Sequence, residues 1–304
     1  MKALLIGLGS IAQKHLTALR ELKPHCKIYA LRNSNSSTKV EGVKNIYEWG
    51  EIPADIDFAM ICNPTSKHYN TVKKVLLLEV PLFIEKPPFM NTEGGTTLIK
   101  KIHEKAIKTY TAFNFRFHPV IQWLKENLAG KRILEVQAYC GSYLPNWRPG
   151  RDYRDVYSAK NEMGGGVHLD LIHELDFLLW LFGKPVKSDF FLRKVSDLEI
   201  DTPDMAHYWL RYPMFSISIL LNYYRKDPKR ELEIVMDDDT WTADLINRII
   251  VNGEGKTIFE DKRPVTDTYL EQMKYFLRGL KNDEPYMNNL AESLTTLDYC
   301  LRGR

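Results

Sequence analysis

Residues 162–176 combine the residue types that proton transfer needs. Three consecutive glycines precede two histidines and three acidic residues, set among leucine and isoleucine. The apolar periodicity predicts one largely buried helix over residues 167–182, in which charged groups must be paired or face a cavity. Asp170 and His173 share a face of that helix, and a histidine beside a carboxylate is a natural proton acceptor near neutral pH. A hydrogen-bonded structural histidine is the alternative. Because H-x-x-E-H spacing and nearby cysteines are absent, we expect no metal.

A second candidate site follows the first predicted strand, residues 3–6. The sequence Gly7-Leu8-Gly9-Ser10-Ile11-Ala12 stands between that strand and a helix predicted over residues 10–22. The first glycine allows a tight turn, the second lets a pyrophosphate approach the backbone, and the small alanine permits close packing of helix on strand. The helix N-terminus offers free N–H groups to phosphates. The pattern predicts a dinucleotide site formed by Gly7, Gly9, Ser10, Ile11 and Ala12.

The end of the second predicted strand, residues 27–31, bears on which dinucleotide is bound. NAD-binding domains usually carry an acidic residue there for the ribose 2′-hydroxyl. Here the strand is followed by Arg32, Asn33 and Ser34 instead. An arginine with small polar neighbours is suited to a 2′-phosphate, although an ordinary exposed arginine is the alternative. We therefore predict NAD or NADP as cofactor, with NADP favoured, and Arg32 and Asn33 as contacts.

Two further strand ends carry polar residues. Asn63 and Pro64 end one predicted strand, with His68 one helical turn later, and Glu85-Lys86-Pro87 ends the next. Open parallel sheets bind ligands at the carboxyl ends of their strands, so we predict Asn63, Pro64, His68, Glu85 and Lys86 as cofactor contacts. A lysine fixed between a carboxylate and a proline can also stabilise the developing charge of a substrate oxygen. A solvated loop lysine is the alternative.

The loop at residues 147–154 concentrates three arginines and two aromatic residues just before the predicted catalytic helix. Arginine binds carboxylate or phosphate through two parallel hydrogen bonds, and aromatic faces suit sugar rings. The loop indicates a substrate bearing an anion, such as a sugar acid or a nucleotide sugar, and a salt-bridged surface loop is the alternative. The predicted substrate contacts in it are Arg148, Arg151, Tyr153 and Arg154.

The elements that position these residues change character near Arg116. Before it, short apolar strands alternate with helices, which is typical of a doubly wound parallel sheet. After it, several strands follow one another with few helices, which favours a mostly antiparallel sheet. We predict an α/β protein with a Rossmann dinucleotide-binding domain over residues 1–116. An α+β substrate-binding and oligomerisation domain with an open, mostly antiparallel sheet follows over residues 117–304.

Composition excludes several classes of protein. The 304 residues are 44% hydrophobic and 27% charged, which rules out intrinsic disorder. A net charge of +3 argues against nucleic-acid binding. Four scattered cysteines without paired spacing fit the reduced thiols of a cytosol. Since no run of ~20 apolar residues occurs, we expect a soluble cytoplasmic protein without membrane contact.

Taken together, these motifs resemble the glucose–fructose oxidoreductase, inositol dehydrogenase and MocA family (Gfo/Idh/MocA). The resemblance implies a dinucleotide domain followed by an α+β domain, whose open sheet supports substrate binding on one face and subunit contact on the other. It thus implies a homodimer or homotetramer. The residues that carry it are Gly7, Gly9, Ala12, His15, Asn63, Pro64, His68, Glu85, Lys86, Pro87, Asn114, Arg116, Gly164, Gly165, Gly166, Asp170, His173 and Asp176.

The resemblance also implies roles. Lys86 is the catalytic lysine of the E-K-P motif, Asp170 and His173 are the catalytic D…H pair, and His173 and Arg116 contact substrate. In the common family pattern the histidine follows the aspartate by four residues instead of three, so His168 stays open as the proton donor or acceptor. The activity implied is hydride transfer between NAD(P) and a hydroxyl or ketone of a sugar, sugar acid or nucleotide sugar. A non-catalytic dinucleotide-binding sensor and an NAD-dependent glycosidase with an internal redox cycle are the alternatives.

Overall fold

The computed structural model describes residues 1–32, 39–263, 267–282 and 285–302. Asn33, one of the predicted cofactor contacts, lies outside the described residues. The chain divides into two compact units. The first is Met1–Asn114 with Thr266–Thr295, and the second is Phe115–Val265 with Thr296–Arg304.

The first unit is built on a six-stranded parallel sheet. Its strands are short apolar runs, and β1 and β4 are almost wholly buried because helices cover a sheet of this kind on both faces. The strand order is β3-β2-β1-β4-β5-β6, so the direction of winding reverses between β1 and β4. The elements are β1 (Lys2–Ile6), α1 (Ser10–Leu22), β2 (Lys27–Leu31), β3 (Val43–Ile46), β4 (Phe58–Ile61), α2 (Thr65–Val75), β5 (Leu82–Ile84), α3 (Gly95–Glu104) and β6 (Thr109–Thr111).

The second unit contains an eight-stranded sheet and the α-helices that lie between residues 119 and 182. Strands in the order β14-β13-β12-β11-β7-β10-β9-β8 pair antiparallel, except for the parallel pair β7 and β10. The predicted fold class, a Rossmann sheet with a mostly antiparallel second sheet, is confirmed. The elements are α4 (Pro119–Asn127), β7 (Ile133–Gly141), α5 (Val167–Asp170), α6 (His173–Phe182), β8 (Lys187–Arg193), β9 (Met205–Arg211), β10 (Ser216–Asn222), β11 (Lys229–Met236), β12 (Thr240–Asp244), β13 (Ile249–Val251) and β14 (Thr257–Glu260).

Two helices follow the antiparallel sheet, α7 (Asp267–Gly279) and α8 (Leu290–Arg302). In the first unit, α7 packs on α1, and its Phe276 lies 5.3 Å, centroid to centroid, from both Phe58 and Phe83 of the parallel sheet. These buried aromatic contacts group α7 with the first unit. The predicted division after Arg116, which assigns α7 to the second domain, stays a prediction.

The single helix predicted over residues 167–182 is wrong, because the chain forms two helices. Leu171 ends α5 with φ −100° and ψ 25°, and α6 begins at His173. In one continuous helix Asp170 and Glu174 would be like-charged neighbours at i and i+4, which is destabilising. With the break, Asp170 accepts a hydrogen bond from Tyr223 and Glu174 pairs with an arginine of β11.

Candidate active site

The turn after β1 is shaped by a close approach to the end of β4. Gly7 has φ +84°, and a Cβ atom there would lie 2.7 Å from the backbone N and Cα of Asn63. Glycine is therefore required at this position by the neighbouring strand as well as by the turn. A Cβ atom added at Gly9 would have no other atom within 4 Å, so the backbone of Gly9 is open to a ligand. Ala12 is a fully buried residue of α1, as close packing of the helix on the strand requires.

A cavity of about 560 Å³ lies at this point of the first unit. It contains the side chains of three cationic residues, and the described residues that line it include no carboxylate. The Oδ1 atom of Asn63 is buried and has no hydrogen-bond partner among the described residues. An open glycine backbone, a buried acceptor and a cationic wall fit a dinucleotide. The lining residues are Ile6, Gly7, Leu8, Gly9, Leu31, Arg32, Trp49, Asn63, Pro64, Ser66, Lys67, Asn70, Thr71 and Lys74.

The predicted cofactor contacts at this sheet edge thus fall into two groups. Gly7, Gly9, Arg32, Asn63 and Pro64 line the cavity. Ser10, Ile11 and Ala12 form the start of α1, His68 lies in the first turn of α2, and Glu85 and Lys86 follow β5.

Glu85 is held by two contacts that fix the turn in front of Lys86. The buried His15 of α1 contacts Oε1 of Glu85 through Nε2, and Oε2 accepts a hydrogen bond of 3.0 Å from the backbone N–H of Lys86. The Lys86–Pro87 peptide bond is cis. These contacts give Glu85 a structural task, which is to orient the backbone that carries the lysine.

His68 links the two polar strand ends. Its Nε2 lies 2.8 Å from the carbonyl oxygen of Asn63, and its Nδ1 lies 3.1 Å from that of Pro87. Burial lowers the pKa of His68, and the hydrogen bonds to the carbonyls and the charge of Glu85 act in the opposite direction. His68 therefore holds the Asn63 turn and the E-K-P turn together.

In the second unit, Asp170 is buried and accepts a hydrogen bond from a tyrosine. The hydroxyl of Tyr223, which directly follows β10, donates to its Oδ2 over 2.5 Å. Burial raises the pKa of Tyr157, in a short 3-10 turn, and the charge of the neighbouring Asp170 acts in the same direction. The carboxylate that was predicted for catalysis is thus held by Tyr223, with Tyr157 nearby.

The two histidines of this segment have different surroundings. His173, the first residue of α6, is 7% exposed, and its ring lies 4.9 Å from that of Phe115. His168 lies in α5 against Gly166, where a Cβ atom would come within 2.7 Å of its Cε1. Burial lowers the pKa of His168 to about 4, with Asp170 acting in the opposite direction. His168 is therefore a weak base in a tightly packed position.

Arg116 lies in a buried ion pair. Its Nε and one terminal nitrogen donate to the two carboxylate oxygens of Asp176 at 2.9 and 2.8 Å. Its guanidinium also lies 5.6 Å from the ring centroid of Trp180. Arg116 is 4% exposed and Asp176 fully buried, so this geometry favours a structural task over the predicted substrate contact.

The arginines of the 147–154 loop are not equivalent. Arg154 is neutralised by Asp152 and Glu199 at 2.6 and 3.0 Å. Arg148 lies 5.0 Å above the ring of Tyr157, and one of its terminal nitrogens is buried without a hydrogen-bond partner among the described residues. Arg151 is exposed, and Tyr153 accepts a hydrogen bond from the backbone of Glu199.

Comparison with known proteins decides the family. Residues 1–113 match an oxidoreductase family with an NAD-binding Rossmann fold, and residues 121–242 match the GFO/IDH/MocA C-terminal domain. The chain belongs to the GFO/IDH/MocA family. It is accordingly an oxidoreductase of the dehydrogenase type with a nicotinamide cofactor, as the motifs predicted.

Relatives and solved structures of this family match along nearly the whole chain. Myo-inositol 2-dehydrogenase from Thermotoga maritima is 24% identical over 308 residues, covering 94% of this chain and 90% of the relative. UDP-N-acetylglucosamine 3-dehydrogenase from Acidithiobacillus ferrooxidans superposes with a TM-score of 0.81 at 20% identity, covering 99% and 96% of the two chains. Levoglucosan dehydrogenase in complex with NADH superposes at 0.84 and 15% identity, covering 99% and 95%. The structural matches show a common fold.

Sequence reasoning on this GFO/IDH/MocA oxidoreductase missed Tyr157 and Tyr223. A tyrosine in a loop and another at a strand end carry no local sign that both reach Asp170. Trp49 and Lys74 of the cavity were missed for the same reason. The sequence indicated a role for His15 only because this residue is part of the family pattern.

Two further observations concern what this oxidoreductase binds. Within residues 1–32, 39–263, 267–282 and 285–302, no group of three or more His, Cys, Asp or Glu side chains is arranged to hold a metal ion. None of the helices in the same part of the chain has the length and apolar character needed to cross a membrane.

Proposed function

We propose that this oxidoreductase transfers hydride between a nicotinamide dinucleotide and a hydroxyl or ketone of a sugar, sugar acid or nucleotide sugar. The observation that carries the proposal is the buried pair of titratable residues, Asp170 and His173, on either side of the helix break. An acid and a histidine enclosed by apolar side chains are suited to proton transfer. The relatives named above act, by their names, on inositol, a UDP-sugar and levoglucosan, all of which carry ring hydroxyls.

The chain's own residues then take the following roles. Bound nicotinamide supplies the hydride acceptor or donor at its C4 atom. His173 takes the proton of the substrate hydroxyl during oxidation and returns it during reduction. Asp170 orients and tunes the proton transfer, and Lys86 stabilises the negative charge that develops on the substrate oxygen. His173 is preferred over His168 because burial lowers the pKa of His168 to about 4 and His168 is packed against Gly166.

We further propose NADP as the preferred cofactor. Arg32, Lys67 and Lys74 bring three positive charges to the cavity, and Nζ of Lys74 lies 5.5 Å from the ring centroid of Trp49. The 2′-phosphate of NADP carries negative charge, which these three cationic side chains would stabilise. A site for NAD would instead offer a carboxylate to the ribose 2′-hydroxyl.

Replacing Arg32 or Lys74 by alanine is expected to weaken NADPH binding by about tenfold each, since each loses a charge-assisted contact with the phosphate. NADH binding should change by less than about twofold. Fluorescence titration of both reduced dinucleotides gives the dissociation constants. Lys73→Ala is the matched control, because Lys73 is an exposed neighbour on α2 outside the cavity lining. Equal losses for both dinucleotides, or a wild-type preference for NADH, would contradict the proposal.

An anionic group on the substrate is proposed to bind Arg148. This arginine has a buried nitrogen without a hydrogen-bond partner among the described residues, whereas Arg154 is already neutralised. Arg148→Ala is expected to raise KM for a sugar acid or nucleotide sugar by about tenfold and to leave KM for a neutral sugar unchanged. Arg154→Ala is the matched comparison. If both alanine variants show the same KM values for anionic and neutral sugars, Arg148 does not bind an anionic group of the substrate.

The proposed activity is tested by incubating the purified protein with NADP or NAD and a panel of neutral sugars, inositols, sugar acids and nucleotide sugars. Absorbance of the reduced nicotinamide is then followed, and reduction in proportion to the product formed supports the proposal. Tight dinucleotide binding with no reduction by any substrate indicates the sensor instead. A cleaved glycoside without net reduction indicates the glycosidase.

The oligomeric state and the location in the cell stay predictions. Exposed aromatic residues on outer strands of the second sheet, Phe191 and Trp209, mark where the contact of a homodimer or homotetramer would be sought. A cytoplasmic location rests on the cysteine pattern, and all four cysteines are free thiols.

A further inference from the structure

We propose that Tyr157 and Tyr223 are positioning residues for catalysis, which hold the Asp170 carboxylate in a fixed orientation through two phenol hydrogen bonds. This inference rests on the proposed function, because it concerns the carboxylate to which that function assigns a role. It adds two residues that neither the motifs nor the family resemblance names.

The hydrogen-bond geometry is the first support. The phenol oxygen of Tyr223 lies 2.5 Å from Oδ2 of Asp170, and Tyr157 is near enough for the charge of Asp170, after burial, to raise the pKa of its phenol. Short O–H···O⁻ bonds of this length are charge-assisted, and they favour the ionised form of the acceptor. All three side chains lie in the second unit, and Tyr223 and Asp170 are almost completely buried.

The triple glycine places Tyr157. A Cβ atom on Gly165 would collide with the backbone carbonyl oxygens of Tyr157, Ser158 and Lys160. The N–H of Gly165 donates to the carbonyl of Lys160 at 3.0 Å, and that of Gly166 to Ser158 at 3.1 Å. Two of the three glycines therefore let the segment that begins at Tyr157 lie directly against the start of α5.

Tyr223 is placed by the sheet and by an aromatic neighbour. It follows β10, and its N–H donates to the carbonyl of Asp204 at 2.9 Å. The ring of Trp147 meets its ring edge to face at 5.2 Å, and Trp147 is itself fixed by a hydrogen bond to Ser142. Because both the ring and the backbone of Tyr223 are held, its hydroxyl group donates in one fixed direction. A residue that positions a catalytic group must be held in this way.

The charges around the carboxylate keep both phenols protonated. Burial raises the pKa of Tyr157 and of Tyr223, and the negative charge of Asp170 acts in the same direction. The positive charge of Arg148 opposes this at Tyr157. Burial lowers the pKa of His168 to about 4, and the charge of Asp170 acts in the opposite direction there. Around neutral pH both phenols therefore carry the proton that a donor to the carboxylate needs.

The consequence is a defined dependence of activity on pH. Removing one phenol hydroxyl takes away a donor that stabilises the carboxylate, so ionisation becomes harder and the protonated form persists to higher pH. The acidic limb of the kcat/KM profile should therefore move upward. A tyrosine that only fills space would leave the limb in place, since phenylalanine has nearly the same shape.

The test uses Tyr157→Phe and Tyr223→Phe in the full chain with its cofactor. Each variant is expected to lower kcat by about tenfold and to move the acidic limb upward by about one pH unit, with dinucleotide Kd unchanged. Tyr208→Phe is the matched control, because Tyr208 is another fully buried phenol, whose donor reaches the carbonyl of Cys300 at 2.9 Å. It should leave the limb where it is in the wild type. Circular dichroism and melting curves check that each variant is folded.

A second readout needs no turnover. Isotope-edited infrared spectra with labelled aspartate, taken as wild type minus Asp170→Asn, follow ionisation of this carboxylate without substrate. A midpoint that moves upward in both phenylalanine variants supports the inference, and a midpoint that stays overturns it. If the midpoint moves but the wild type reduces no nicotinamide with any substrate, the proposed function fails while the hydrogen bonds to Asp170 stand.

Discussion

Replacing Lys86 or His173 by alanine is expected to slow turnover by about a thousandfold, within the range that a general acid or base contributes. Dinucleotide binding should stay within about threefold of wild type. The turn that carries Lys86 is held by the contacts of Glu85 with His15 and with the Lys86 backbone, which the substitution leaves intact. We therefore expect the substitution to slow the chemical step and not to weaken dinucleotide binding. Single-turnover kinetics and fluorescence titration of the dinucleotide separate the two quantities.

His168→Asn is the comparison that decides between the two histidines. If His173 carries the proton, the His173 variant loses turnover while folded His168→Asn keeps most of it. The opposite pattern would move the role to His168. Wild-type turnover in both Lys86→Ala and His173→Ala would remove the assignment of these residues altogether.

Helices and strands of this protein can be predicted where the spacing of apolar residues within the segment determines the structure. The helix predicted over residues 10–22 and the strand over 27–31 coincide with α1 and β2. In each case an apolar period is bounded by glycine, proline or charged residues. The edge strand β3 was not identified, because its four residues include only two apolar ones, Val43 and Ile46.

The candidate site is less predictable because pairings distant in sequence build it. Asp170 meets Tyr223 across 53 residues, Arg116 meets Asp176 across 60, and His15 meets Glu85 across 70. The sequence identifies many of these residues as unusual, since charge amid apolar residues must be compensated. It does not say which compensates which, and the substrate contact of Arg116 that the resemblance implies stays a prediction.

The helix break lies among such pairings. The pattern over residues 167–182 is helical throughout, yet the acids in it have partners on different elements. Glu174 pairs with the half-buried Arg230 of β11, and Asp176 pairs with the buried Arg116. The break at residues 171–172 separates these two acids from Asp170, which accepts a hydrogen bond from Tyr223.

Arg116→Ala is expected to lower the free energy of unfolding by about 3–5 kcal/mol, because it leaves the fully buried carboxylate of Asp176 without its bidentate partner. Urea denaturation of the variant, followed by fluorescence and circular dichroism, measures the loss. The double variant Arg116→Met/Asp176→Leu should recover much of it, since it removes both charges and retains apolar volume. The matched control is Arg211→Ala, which breaks a half-exposed ion pair with Asp189 and should cost less than about 1 kcal/mol.

The same variants decide whether Arg116 serves the fold or the substrate. A structural arginine gives a large loss of stability in the single variant, and the double variant regains stability together with whatever activity the single variant lost. If Arg116 instead binds substrate, its loss should change substrate binding and leave stability unchanged. Arg116→Ala would then unfold at the wild-type urea concentration with a raised KM, and the double variant would not restore KM. Because removing Asp176 cannot recreate a lost substrate contact, the two readouts separate the roles even if Arg116→Ala is too unstable for kinetics.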